Sequence, residues 1–134
     1  MSSNGLITIS GAFSVRDTMD RLSAKVTSLG LNVFARIDHA AGAAKVSMPL
    51  RPTELLIFGN PMGGTPLMQD QQTAGIDLPI KALAWEDANG KVWLTYNDPA
   101  WIAERHHLGP NSASAVKAIA TGMATVMSKA AMAE

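Results

Sequence analysis

Residues 80–96 read IKALAWEDANGKVWLTY, two apolar-rich runs on either side of Asn89-Gly90. Asn-Gly readily takes the positive φ angles of a tight hairpin turn and is the strongest short-range hairpin signal in a sequence. Ile80 to Asp87 and Lys91 to Tyr96 are therefore read as two antiparallel strands. A two-residue loop would pair Asp87 with Val92 and Glu86 with Trp93. One face would then carry Leu83, Trp85, Val92, Leu94 and Tyr96, a core face, and the other Ala82, Ala84, Glu86, Trp93 and Thr95. An indole over small alanines beside a carboxylate suits packing under a helix, a subunit interface or the floor of a ligand pocket, so Trp93 is a candidate site residue.

Working outward, Leu6 to Ile9 reads as a short strand. Ser14 with Asp17 three residues on has the spacing of a capping box. Val15, Met19, Leu22, Val26 and Leu29 then recur at helical spacing, and Gly30 sits where a left-handed residue would end the helix. Asn32 to Asp38 alternates as a strand. His39 to Lys45 has room for a turn or two of helix, weakened by Gly42. Pro49 and Pro52 bracket an extended link into a strand from Glu54 to Phe58. Thr65-Pro66 reads as an N-cap followed by proline at the first helical position, starting a helix that ends near Gly75. Asp98-Pro99 repeats that device and starts a short helix through His106. From Ser112 a long Ala-rich helix carries Val116, Ile119, Met123, Val126 and Ala130. The expected order is β-α-β-(short α)-β-α-β-β-α-α in a single α+β domain, residues 1–134, with a mainly antiparallel sheet.

The 134 residues have room for a hydrophobic core without staples; apolar types make up 47% and charged types 16%, which excludes a disordered chain. Eleven basic and eleven acidic side chains cancel, so no electrostatic footprint for nucleic acid or an anionic membrane is present. There is no cysteine, which removes disulfides, thiolate nucleophiles and cysteine-ligated metals. No stretch approaches the ~20 apolar residues that would cross a bilayer, and the opening MSSNGLITIS lacks the pattern of a signal peptide, so a cytoplasmic location is expected.

Asp38-His39 is the main chemical candidate, a carboxylate beside an imidazole at a strand end. Adjacent strand residues point to opposite faces, so the two meet only if the strand ends between them. His39 otherwise belongs to the start of the short helix. His106-His107 sits at a helix end, where a capping role is favoured over a ligand role. Gly59 to Thr65 resembles a phosphate loop only superficially, because the lysine of that motif is missing. What remains is a glycine-rich approach to a helix start, with Gly63, Gly64 and Thr65 as candidate ligand contacts. Met68, on the flank of this zone, is read as core, as a pocket wall or as an axial ligand. No metal site is expected from three histidines dispersed at 39, 106 and 107.

Ile37-Asp38-His39-Ala40-Ala41-Gly42, Arg51 to Pro61 and Gly64-Thr65-Pro66-Leu67-Met68 resemble the family catalogued as domain of unknown function 302. Asp77-Leu78-Pro79, Trp85-Glu86-Asp87, Gly90 to Leu94 and Tyr96-Asn97-Asp98-Pro99 extend the resemblance, which covers about residues 6–108; the Ala-rich helix, about 112–132, is less diagnostic. The resemblance implies a curved antiparallel sheet backed by helices, similar in layout to the TATA-box-binding-protein-like group, and a homodimer. It implies no reaction and no catalytic residue.

The favoured expectation is a homodimeric module that binds a small ligand or cofactor near His39 and the Gly59–Met68 segment. Haem is a conceivable cofactor, with His39 as the candidate ligand. The alternative is a structural or regulatory homodimer acting through protein contacts. An enzyme, hydrolase or isomerase, using Asp38 and His39 as an acid/base pair ranks last, because no nucleophile or oxyanion site accompanies the pair.

Overall fold

The Asn89-Gly90 hairpin forms, with a loop one residue longer than a two-residue turn. In the computed structural model, which describes residues 4–132, Glu86 pairs with Val92 and Trp85 with Trp93. Asp87 sets this register. Its N–H donates to the Lys91 carbonyl, its Oδ1 accepts from the N–H groups of Asn89 and Lys91, and Gly90 takes the left-handed φ of 79°. That is a three-residue loop closed by a glycine bulge. A one-residue slip turns over every side chain of one strand relative to the other. The face assignment for a two-residue loop is therefore corrected. Ala82, Ala84 and Glu86 share the core face with Val92, Leu94 and Tyr96, while Leu83 and Trp85 lie with Trp93 and Thr95 on the other.

The elements follow the expected order: β1 (Leu6–Gly11), α1 (Val15–Ser28), β2 (Asn32–Asp38), α2 (His39–Lys45), β3 (Thr53–Gly59), α3 (Pro61–Asp70), a short 3₁₀ helix (Gln72–Ile76), β4 (Lys81–Glu86), β5 (Val92–Asn97), α4 (Pro99–Arg105) and α5 (Ala113–Ala131). The five strands form one open sheet in the order β1-β5-β4-β3-β2, antiparallel throughout. Helices α1, α4 and α5 bury Met19, Leu22, Val26, Ile102, Val126 and Met127 against one face of it, on Leu56, Phe58, Ala82, Ala84 and Leu94.

The helix ends obey local rules. Ser14 Oγ accepts from the Asp17 N–H and Asp98 from the Ala100 N–H. Helix α1 closes through Gly30 at φ 78°, with Gly30 N–H on the Thr27 carbonyl and Leu31 N–H on Val26, a Schellman motif. Helix α4 closes the same way with His107 at φ 54° in the glycine position. Helix α5 ends under Arg21, whose guanidinium donates to the carbonyls of Lys129, Ala130 and Met132 at 3.0–3.2 Å.

Helix α3 departs from expectation. Asn60-Pro61, not Thr65-Pro66, is the N-cap and first proline: Asn60 Oδ1 accepts from Met62, and its carbonyl takes the N–H groups of Gly63 and Gly64. Gly63, Gly64 and Thr65 are therefore helical rather than a loop, and Pro66 lies inside the helix. The helix stops at Asp70, and a 3₁₀ helix carries the chain past Gly75.

Candidate functional site

The end of β3 and the first turns of α3 form one wall of an apolar cavity of about 610 Å³. Phe58 and Gly59 deliver the chain to Asn60-Pro61, and α3 then presents Gly63, Gly64, Thr65 and Met68. Leu78, Pro79 and Ile80, which lead into β4 through a cis Leu78–Pro79 bond, form a second wall. Ile119, Gly122, Met123 and Val126 of α5 form the third, at the i, i+3, i+4, i+7 spacing of one helix face. A bulge in β2 between Val33 and Ala35 sets Phe34 at the mouth, 53% exposed beside Leu29 and Leu31.

Helix-interior glycine costs about 1 kcal/mol relative to alanine. All three glycines of α3 and α5, Gly63, Gly64 and Gly122, line this one cavity. A methyl at Gly63 would sit 3.8 Å from Ile119 Cγ1, one at Gly64 3.7 Å from Leu78 Cδ1, and one at Gly122 would meet nothing within 4 Å. The two helices thus give up helical propensity where their side chains would narrow the space.

Among the described residues, none that lines the cavity is titratable. Its polar side chains are Asn60, which caps α3, and Thr65, Thr121 and Thr125, of which Thr125 donates to the Thr121 carbonyl. Such a lining can exclude water and hold an apolar molecule, but offers no general acid, base or anionic nucleophile.

The candidate residues divide accordingly. Gly63, Gly64, Thr65 and Met68 meet at the cavity, the glycines and Thr65 as helix rather than loop. Asp38, His39 and Trp93 do not line it. Asp38 is the N-cap of α2, its carboxylate accepting from the Ala41 N–H at 2.9 Å, and His39 is exposed on the first turn. No hydrogen bond joins these two side chains among the described residues. The described lining holds two thioethers, Met68 and Met123, and no imidazole, so His39 and Met68 do not converge on a haem position.

Asp38 borders a separate polar depression with Arg36, Glu54 and Glu86. Arg36 bridges Asp20 at 2.6 Å and Glu54 at 2.9 Å. Partial burial by itself would lower the pKa of its guanidinium, but the hydrogen bonds and charges of the two carboxylates reverse this and hold it above its ordinary value. The pairing ties α1 to β2 and β3. Among the described residues no group of three histidine or carboxylate side chains is placed to hold a metal.

Trp93 lies on the sheet face opposite the helices. Its indole N–H donates to Asp87 Oδ2 at 2.9 Å, and its ring stacks on Trp85 with centroids 6.3 Å apart. The indole hydrogen bond, with backbone N–H groups of the turn, holds the Asp87 carboxyl below its usual pKa. Trp85 donates in turn to Thr95 Oγ1, and Lys91 Nζ sits 4.5 Å over the Trp93 ring.

One cluster has no local signal in the sequence. His106, 8% exposed at the end of α4, meets the Asp77 carboxylate through Nε2 and Thr73 Oγ1 through Nδ1 at 3.0 Å. Arg105 donates to both Asp77 oxygens. Partners 29 and 33 residues apart in sequence pin the 3₁₀ helix and the Leu78–Ile80 wall to α4.

The model of the family described as domain of unknown function DUF302 matches residues 7–130. The chain resembles the crystal structure of an uncharacterized conserved DUF302 protein from Bacillus stearothermophilus, with a TM-score of 0.82 over 94% of this chain and 98% of that one. At 16% identity that likeness concerns the fold alone. Curated proteins from Brucella suis and Brucella melitensis, named fluoride-specific ion channel FluC 1 and FluC 2, are 58% identical over 128 residues. The match takes in 96% of this chain but 50% and 47% of theirs, so the chain spans about half the length of these relatives.

Proposed function

The chain belongs to the family described as domain of unknown function DUF302, and on that premise we propose that it is a homodimeric module that binds an apolar small molecule in the cavity between α3, α5 and the end of β3. The observation that carries the ligand reading is the cavity itself: about 610 Å³, with no charged lining side chain. That volume lies within the roughly 300–1,000 Å³ of small-molecule pockets, which are mostly apolar with a few polar groups for orientation. Thr65, Thr121 and Thr125 are the groups available to orient a ligand. The ligand proposed is organic and apolar rather than haem on His39, because His39 stands outside the cavity. Acid–base catalysis by Asp38 and His39 has no support in the geometry, since Asp38 is engaged in capping.

Fluoride conduction, named for the Brucella relatives, is not carried over. The match covers about half of those chains, and no described helix is long and apolar enough to cross a membrane. A regulatory homodimer acting through protein contacts is the second reading, favoured by the apolar sheet face around Trp85 and Trp93.

Titration with Nile red, an uncharged apolar fluorophore, tests the ligand reading. Saturable enhancement at one site per chain is expected, together with an apolar ligand in native mass spectra of protein from its own host. No saturable binding and no retained ligand would sink it.

A further inference from the structure

An antiparallel sheet that faces water on one side alternates apolar-in and polar-out. On the outer face here, β1 and β5 keep to this with Thr8, Ser10, Thr95 and Asn97, but β2, β3 and β4 do not. Register places Ile37, Leu55 and Leu83 in one row across three strands, with Ile57 beside it in the next row and the Trp85–Trp93 stack flanking on the other side. These side chains are half-buried or exposed, and none belongs to the core on the helical face. The same chain carries a second unpartnered apolar element. The segment between α2 and β3 exposes Val46 at 66%, Met48 at 63% and Leu50 at 50%, and α2 itself buries no residue.

From these two surfaces we infer that the outer sheet face and the 46–50 segment form the interface with a second copy of this chain, the segment of each copy packing on the sheet of the other. This deepens the homodimer reading above by assigning its surface. Size argues for both elements together. Strand spacing and rise make the sheet face roughly 20 by 20 Å, or about 400 Å² in projection. A standard stable interface takes about 800 Å² from each partner. The sheet alone falls short, and side-chain relief plus an apolar arm from the partner brings the contact into range. A second copy supplies that arm by symmetry, since an isologous contact uses each surface twice. The row of Ile37, Leu55 and Leu83 carries no charge to repel its own copy; Lys81, directly across from Ile57 on the central strand, donates its ammonium to the carbonyls of Asp77 and Pro79.

Sedimentation velocity at micromolar concentration tests the assignment on the full chain and on two variants, Leu83→Lys on the sheet and Met48→Lys on the exposed segment. A dimeric wild type is expected, with both variants monomeric, native by far-UV circular dichroism and unchanged in Nile red affinity. A monomeric wild type overturns the homodimer and its surface together. A dimer that persists in either folded variant overturns this surface while leaving dimerisation standing. Met48→Lys, at an exposed loop position, keeps the test decisive if Leu83→Lys fails to fold. Ligand binding is read separately, so its failure is not confused with failure of the interface.

Discussion

Substituting Gly122 separates the cavity from the fold that surrounds it. The residue lies inside α5 between Ile119 and Val126, and a methyl there would meet nothing within 4 Å. Gly122→Ala therefore gains helix propensity without a clash, about 1 kcal/mol. For a chain of this size that raises Tm by roughly 3–5 °C. Its effect on an apolar ligand is small, because one methyl trims little of a 610 Å³ space. Gly122→Leu gains nearly the same propensity but places four carbons where the ligand would pack. At ~0.8 kcal/mol per CH₂ displaced, about 3 kcal/mol of binding is lost. Since 1.4 kcal/mol is tenfold, affinity falls by about a hundredfold. The assay pairs differential scanning calorimetry with Nile red titration. Stability should rise in both variants while affinity collapses only in the leucine variant, a combination that unfolding does not produce. A leucine variant that binds within about threefold of wild type would refute the cavity as the ligand site. Loss of stability in the alanine variant would refute the packing described around Gly122.

Other perturbations test the supports of the site. Arg21→Met removes the donor that closes α5 on three carbonyls and should cost roughly 1–3 kcal/mol in a urea melt; an unchanged midpoint would contradict the capping role. His106→Ala leaves Asp77 and Thr73 without their shared partner and should cost a similar roughly 1–3 kcal/mol while weakening Nile red binding through the Leu78–Ile80 wall. Full stability with unaltered binding would break that link. Asp87 titrates below its ordinary value because the folded hairpin hydrogen-bonds its ionised form, so its contribution is complete above the unfolded pKa and drains away as pH falls through the folded one. Tryptophan-fluorescence melts on acidification should lose this contribution in wild type but not in Asp87→Asn; parallel profiles would refute it. His107→Gly, at φ 54°, should stabilise by about 0.5–1 kcal/mol in thermal melts, and destabilisation would argue against the left-handed cap.

Much of the fold is legible from neighbours in sequence. Ser14, Asp98-Pro99 and Gly30 mark helix boundaries because a cap is satisfied within three or four residues, and each acts where its pattern places it. Where two local solutions compete, pattern is insufficient. Asn60-Pro61 and Thr65-Pro66 are equivalent as cap signals, and the former wins by bringing Gly63 and Gly64 into the helix and onto the Asn60 carbonyl. The hairpin loop is a comparable case. Asn89-Gly90 announces the turn, but the Asp87 carboxylate, by collecting two loop N–H groups and the Trp93 indole, selects the longer loop and with it the face of every β4 side chain.

The sequence by itself determined the class of this protein: the order of strands and helices, the caps at most of their ends, the family signature and the absence of cysteine chemistry. These rest on interactions that span a few residues and leave a mark at fixed spacing. Only the tertiary structure decided that Gly63, Gly64, Thr65 and Met68 share a cavity with α5, and that Asp38 and His39 stand apart from it. It alone joined Thr73 and Asp77 to His106 and set Ile37, Leu55, Leu83 and the two tryptophans side by side on the sheet face away from the helical core. A cavity is space left between segments distant in the chain, and its volume depends on how closely α3 and α5 approach. That approach is set by packing across the whole sheet, for which no local run of residues carries a pattern.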